Sequence, residues 1–319
     1  MWCQRLLLAV NDMHKPWSFK EFIWHCYYMN WIILTLSAVV LQTVRNALQS
    51  RLSMSVSTSG VTLSRFVLAP PVALCYLIVL SLKSPDVEPD FSTSFAFVVL
   101  LAALFQIAAT SLMVILFKQK NFATGAGLAK SEALVAAVVG GVFFGSHLTA
   151  IGWTGIVIGG VAVFLISSGS RLKDVSFNTM LIGLGCGACF ALSSLLVRQA
   201  CFLIGLNSEL AAAWVLFLVL CVQTVALCGY VLIKKPYVFN QLLGVKQQVL
   251  AISLISCLGS VCWFTAMALQ NVALVKTLGQ VELLLTILLS RYWLKNKTTR
   301  NDILGLSLIA LAAIMVIWA

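Results

Sequence analysis

Four charged residues stand inside stretches that are otherwise almost wholly apolar: Lys130, Glu132, Lys276 and Glu282. Two ammonium groups facing one cavity could hold an anionic or zwitterionic group of a small-molecule substrate. A carboxylate nearby could titrate and couple that binding to protons. The competing reading is structural: a lysine paired with a glutamate of a neighbouring helix, or snorkelling to the headgroups. A charge at the bilayer centre costs about 2.5–3.5 kcal/mol on insertion scales, so each of the four requires one of these explanations. On a regular helix, residues two apart lie about 200° around the axis and do not meet, whereas residues four apart share a face. Lys130 and Glu132 are therefore expected to diverge. Lys276 and Gln280 are expected to share a cavity-lining face, with Glu132 and Glu282 turned toward helix–helix contacts. Gln42, Asn46, Gln106 and Trp263 are further candidates for the cavity wall or for polar contacts between helices. Arg45, Arg65 and Arg198 fall near the ends of apolar runs, where a long side chain snorkels at little cost.

The elements that must position these groups follow from composition. Of 319 residues, 61% are hydrophobic and 10% charged. Soluble domains are nearer about 45–50% apolar and about 25% charged, and no soluble core of this length hides so much apolar surface. A lipid bilayer does, and about 20 apolar residues cross it as a helix. Ten such runs are present, at 31–49, 59–82, 94–117, 122–144, 148–168, 178–199, 209–233, 248–270, 272–294 and 301–319. They are continuous rather than alternating, which favours helices over a barrel. Residues 1–30 form a polar or interfacial lead-in, with Trp17, Trp24 and Tyr27 expected near the headgroups. The connections are short, and the fold class is all-α integral membrane.

The same frame settles several smaller features. The net charge of +11 comes from Lys and Arg lying mostly between the runs, a placement that suits membrane topology and anionic headgroups and not nucleic acid. Cys186 and Cys189 form a C-x-x-C in an apolar stretch with Gly185 and Gly187. Small residues there let helices approach closely, whereas a metal site would need deprotonated thiols and more ligands. His14, His25 and His147 lie outside helix centres, and no phosphate-binding G-x-x-x-x-G-K-[ST] occurs. No residue set points to a metal or a cofactor.

Internal repetition divides the chain. At a shift of 150 residues Asn121 meets Asn271, Ala123 meets Ala273, Leu128 meets Leu278, Glu132 meets Glu282 and Leu134 meets Leu284, while Gly155 falls on Gly305. At a shift of 147, Leu48 meets Leu195 and Arg51 meets Arg198. Two rare membrane glutamates in one register weigh more than the apolar matches. The expectation is two five-helix repeats, 31–168 and 178–319. Five is odd, so the second copy enters from the opposite side: an inverted repeat with its site between the halves.

Several local patterns resemble the drug/metabolite transporter superfamily, specifically its EamA-like ten-helix members, across about 290 residues. Ser64-Arg65-Phe66-Val67-Leu68-Ala69 is similar to the start of the family's second helix. Leu128, Glu132, Gly145 and Leu148-Thr149 follow the pattern of its fourth helix and the turn after it. Trp153-x-Gly155 and Gly159-Gly160 match the fifth. The second copy is looser, with Glu282, Thr298-Thr299 and Leu304-Gly305. The chain departs from the family where Ala133 and Leu283 replace the proline that often follows the glutamate, and where Ser146 and Asn296 stand in place of a second glutamate.

The resemblance implies a secondary transporter, exporting or exchanging a small polar metabolite or drug across a bacterial-type inner membrane, and not an enzyme. The alternatives are an intramembrane enzyme, which needs a nucleophile–base set that no run supplies, and a non-transporting scaffold. Two arguments on orientation stay open. Arg51, Lys118, Lys120, Arg171, Lys173, Lys234, Lys235, Lys246, Arg291, Lys295, Lys297 and Arg300 fall on one side, and Arg5, Lys15, Lys20 and Lys83 on the other. The positive-inside rule puts the first set in the cytoplasm and both termini outside. The resemblance implies both termini inside.

Overall fold

The computed structural model describes residues 19–83, 88–119, 129–145, 147–167, 177–285 and 300–318. The N-terminal lead-in before residue 19 lies outside these. So do Asn121, Ala123 and Leu128 of the first repeat copy, Ser146, Asn296 and Thr298-Thr299, and the loop cations Lys120, Arg171, Lys173, Arg291, Lys295 and Lys297.

Apolar runs in lipid must satisfy every backbone group internally, and among the described residues every regular element is helical. In chain order these are α1 (Phe19–Leu52), α2 (Thr58–Phe66), α3 (Ala69–Ser81), α4 (Thr93–Gln119), α5 (Glu132–Phe143) and α6 (Ala150–Ser167). They continue with α7 (Phe177–Leu203), α8 (Ser208–Lys234), α9 (Tyr237–Gly244), α10 (Lys246–Leu269), α11 (Val272–Leu278) and α12 (Arg300–Ile317). Six spans among the described residues are long and apolar enough to cross a membrane: Asn30–Leu52, Thr58–Ser81, Thr93–Lys118, Leu181–Leu203, Ser208–Lys234 and Lys246–Leu269.

Helix ends follow local chemistry. The Asn207 side chain accepts from the Leu210 N–H at 3.0 Å and opens α8, and Asn271 caps α11 through the Ala273 N–H at 3.0 Å. Gly205, at φ +72°, makes the tight turn between α7 and α8. The guanidinium of Arg198 donates to the carbonyls of Met267 and Gln270, closing the last turn of α10. Arg198 is thus a helix cap, and the expectation that it snorkels is corrected.

Four further details refine the sequence expectation. Residues 19–30 are helical and continuous with the first apolar span, which begins at Asn30 within α1. The run 59–82 is divided between α2 and α3, because Pro70 and Pro71 lack N–H groups and fit only a first helical turn. The connection 234–246 contains the short helix α9, which buries Val238 and Leu242. Run 272–294 changes winding at Gly279–Val281, a single 3₁₀ turn.

The longest helix–helix contacts join α4 to α7, α6 to α12 and α1 to α10, with α3 against α8 and α5 against α11. Cys186 sits in the α4–α7 seam with its thiol on the carbonyl of Ala109 at 3.3 Å. A buried apolar core runs through these seams, including Phe66, Phe95, Leu216, Ile252 and Leu278.

Candidate functional site

A carboxylate carried into an apolar interior needs donors on both oxygens. Glu282, fully buried just after the 3₁₀ turn, has three. Lys130 Nζ lies 2.5 Å from Oε2, Gln42 Nε2 donates to the same oxygen at 2.6 Å, and Asn46 Nδ2 donates to Oε1 at 2.8 Å. The outer partners are fixed in turn. The Asn46 carbonyl oxygen accepts from Arg45 Nη2 at 2.8 Å, and Trp263 Nε1 donates to Gln42 Oε1 at 2.9 Å. The network joins α1, α10 and the segments around α5 and α11 in one polar cluster.

Glu132 is held more loosely. Lys276 Nζ lies 3.4 Å from its Oε2 and Lys130 Nζ 3.7 Å from its Oε1. Lys276 also sits 4.5 Å from the centre of the Trp263 ring, a cation–π contact that orients the ammonium. The indole itself rests on Gly279, where an added Cβ would lie 2.6 Å from the ring, so only glycine lets Trp263 in this close.

These groups surround a cavity lined by Gln42, Arg65, Gln106, Lys130, Glu132, Trp263 and Lys276 on its polar side, with Ser193, Ser194 and Ser260. Met113, Phe190, Phe264 and Met267 form apolar wall. The lining comes from α1, α2, α4, α5, α7, α10 and α11 and thus from both halves of the chain.

The placements differ from the sequence expectation in identifiable ways. Lys130 and Glu132 do meet, because Lys130 and Ser131 form a turn ahead of α5 and the helical 200° separation does not apply. Glu132 consequently faces the cavity as well as its ion partners. Gln280 is fully buried away from the cavity, against Gly159 of α6. The tighter 3₁₀ winding between it and Lys276 removes the four-residue stacking that put them on one face. Asn46 lies behind the cavity wall in the Glu282 shell. Gln106 lines the cavity and accepts from Gln223 Nε2 of α8 at 2.9 Å.

Arg45 and Arg65 do not snorkel. They are 3% and 5% exposed, turned inward by helices that continue past them or break just after them. The serines at 193, 194 and 260 were not singled out by spacing. A Ser193-Ser194 pair in an apolar run was the available signal.

Comparison with known proteins agrees with this picture at the level of fold and family. No curated protein matches the sequence. A solved crystal structure, described only as that of a protein, superposes with a TM-score of 0.63 at 16% identity, covering 89% of this chain and 95% of its own. At that identity the likeness concerns the fold alone. Residues 178–318 match the EamA-like transporter family. With its apolar membrane-crossing helices the chain is a multi-pass membrane protein, and its second half matches the EamA-like transporter family, part of the drug/metabolite transporter superfamily.

Proposed function

We propose that the chain is a secondary transporter that exports or exchanges a small polar metabolite through the central cavity, in the inner membrane of a bacterial-type cell. The observation that carries this reading is the lining of the cavity: four charged side chains and three serines, drawn from helices of both halves, converge on one small cavity within an apolar bundle. Buried charge of this kind is costly in a membrane and marks substrate and ion pathways.

The proposal includes the ten-helix architecture with two inverted repeats, 31–168 and 178–319. The contact pattern supports it. If span one is paired with span six and span three with span eight, the α4–α7 seam becomes the α10–α1 seam. The α6–α12, α5–α11 and α3–α8 seams each map onto themselves. A site between such repeats is served by alternating access, one repeat rocking against the other.

Within the site, Glu132 is the carboxylate we assign to proton coupling. It lines the cavity and is held at 3.4 and 3.7 Å, whereas Glu282 is closed off by three shorter contacts. Lys276 is its nearer ion partner. An untargeted comparison of metabolites inside and outside cells making the wild-type chain or Lys276→Ala is the test. The compounds redistributed by the wild type are expected to return to background in the variant, at equal amounts of membrane-inserted protein. Wild-type redistribution by Lys276→Ala would overturn the substrate-site reading. For the compound so identified, Glu132→Gln is expected to flatten the dependence of flux on a pH gradient, and an unchanged dependence removes Glu132 from the coupling role.

A further inference from the structure

The buried charges among the described residues do not balance. Four cations, Arg45, Arg65, Lys130 and Lys276, stand against two carboxylates, Glu132 and Glu282. Geometry shows where the surplus lies. Lys130 and Lys276 have carboxylates within 3.7 Å. Arg45 is folded onto the Asn46 carbonyl oxygen, behind the wall, in the shell of Glu282. Arg65 has no carboxylate partner among the described residues. Its Nη1 donates to Thr110 Oγ1 at 2.8 Å, its Nε finds no acceptor among the described residues, and it lines the cavity at 5% exposure.

The fold goes to some length to hold Arg65 there. It is the last cation of α2, two residues before the break at Val67–Leu68. Backbone groups freed by a break in a membrane need partners, and the second half of the chain supplies them. The Leu68 N–H donates to Ser253 Oγ at 3.0 Å, and Thr224 Oγ1 donates to the Phe66 carbonyl at 3.0 Å. The guanidinium lies 5.2 Å from the Phe66 ring centre, which limits its rotation.

On this basis we infer that Arg65 is the anion anchor of the cavity, and that the substrate is an organic anion: a carboxylate or phosphate group on a compact apolar or aromatic body. The planar guanidinium, with its Nε unpartnered among the described residues, matches either oxyanion as a fork. Such a ligand neutralises the uncompensated charge that the protein alone leaves buried. Trp263, Phe190, Phe264 and Met267 supply the surface for the body. The lysines are not the primary anchor, because each is already engaged by a glutamate. This inference rests on the cavity being a substrate site, as proposed above, and narrows what that site accepts.

The test uses the purified full chain in detergent at fixed ionic strength and four probes of one shape: benzoate, phenylphosphate, benzamide and benzylamine. Benzoate or phenylphosphate is expected to raise the melting temperature, and which of them does so names the acid. Benzamide and benzylamine are expected to leave it unchanged. Arg65→Gln is expected to weaken the anion's binding by about tenfold to a hundredfold, the range that corresponds to a charge-assisted hydrogen bond. Arg65→Lys, which keeps the charge but loses the fork, falls between. Without ligand, Arg65→Gln is expected to melt no lower than the wild type, since an unpaired buried charge is gone. A marked loss there would make Arg65 a structural strut and overturn the inference. An anion effect that survives Arg65→Gln overturns it too. Equal stabilisation by neutral and cationic probes overturns it while leaving the cavity reading intact. No response to any of the four overturns both.

Discussion

Glu132 and Glu282 coincide in the sequence at a shift of 150 residues, yet they live in different surroundings. Glu282 is wholly buried with three donors at 2.5–2.8 Å. Glu132 faces the cavity and shares two lysines at 3.4 and 3.7 Å. The asymmetry arises from what precedes each residue. Glu132 follows a turn at Lys130 and Ser131, so that Lys130 is free to swing across to the other half. Glu282 follows the 3₁₀ turn, which brings it under Gln42 and Asn46 of α1. Residues aligned in sequence thus take different surroundings where the flanking backbone diverges: one carboxylate ties α1 and Lys130 to the segment after α11, and the other faces the cavity.

Removing that tie gives the largest effect expected. Glu282→Ala takes the nearer carboxylate from Lys130, leaving it Glu132 at 3.7 Å, and leaves the Gln42 and Asn46 amides without their acceptor. Breaking a buried pair costs about 3–5 kcal/mol. A sharp fall in melting temperature and in folded yield would show it, and a near-wild-type melt would break the comparison. Gly279→Ala strikes the join between the two shells, because Trp263 donates to Gln42 of one and carries Lys276 of the other. Its Cβ would overlap the indole, and overpacking of this kind costs about 1–3 kcal/mol. Glu132→Gln is expected to cost less than Glu282→Ala, about 1 kcal/mol, because the cavity and the Trp263 face remain for Lys276. Equal losses from the two glutamate substitutions, read in one thermal assay, would erase the distinction. The smallest effect belongs to Gln280→Met. Both amide atoms of Gln280 lack hydrogen-bond partners among the described residues, so an unbranched apolar side chain should be neutral or slightly stabilising, within about 1 kcal/mol. A clear loss there would reveal a polar partner for Gln280.

Apolar content and run length alone determined that this chain is helical and spans a membrane. Long, predominantly apolar stretches have no other stable form in lipid, because every backbone group must be paired within its own segment. Their position inside such runs likewise singled out Lys130, Glu132, Lys276 and Glu282, since charge there is too costly to be incidental, and the 150-residue shift paired the two glutamates. What each of these residues touches was decided by tertiary structure. The expected separation of Lys130 from Glu132 and the shared face of Lys276 and Gln280 both assumed unbroken α-helix, and the chain departs from it at those points. Arg65 is the sharpest case. Its place near the start of an apolar run suggested an inexpensive surface cation. In the fold it lines the cavity just before the Pro70-Pro71 break, which Thr224 of α8 and Ser253 of α10 hold from more than 150 residues away. Local sequence fixes which groups are costly to bury, and long-range packing fixes which of them find a partner and which are left waiting for one.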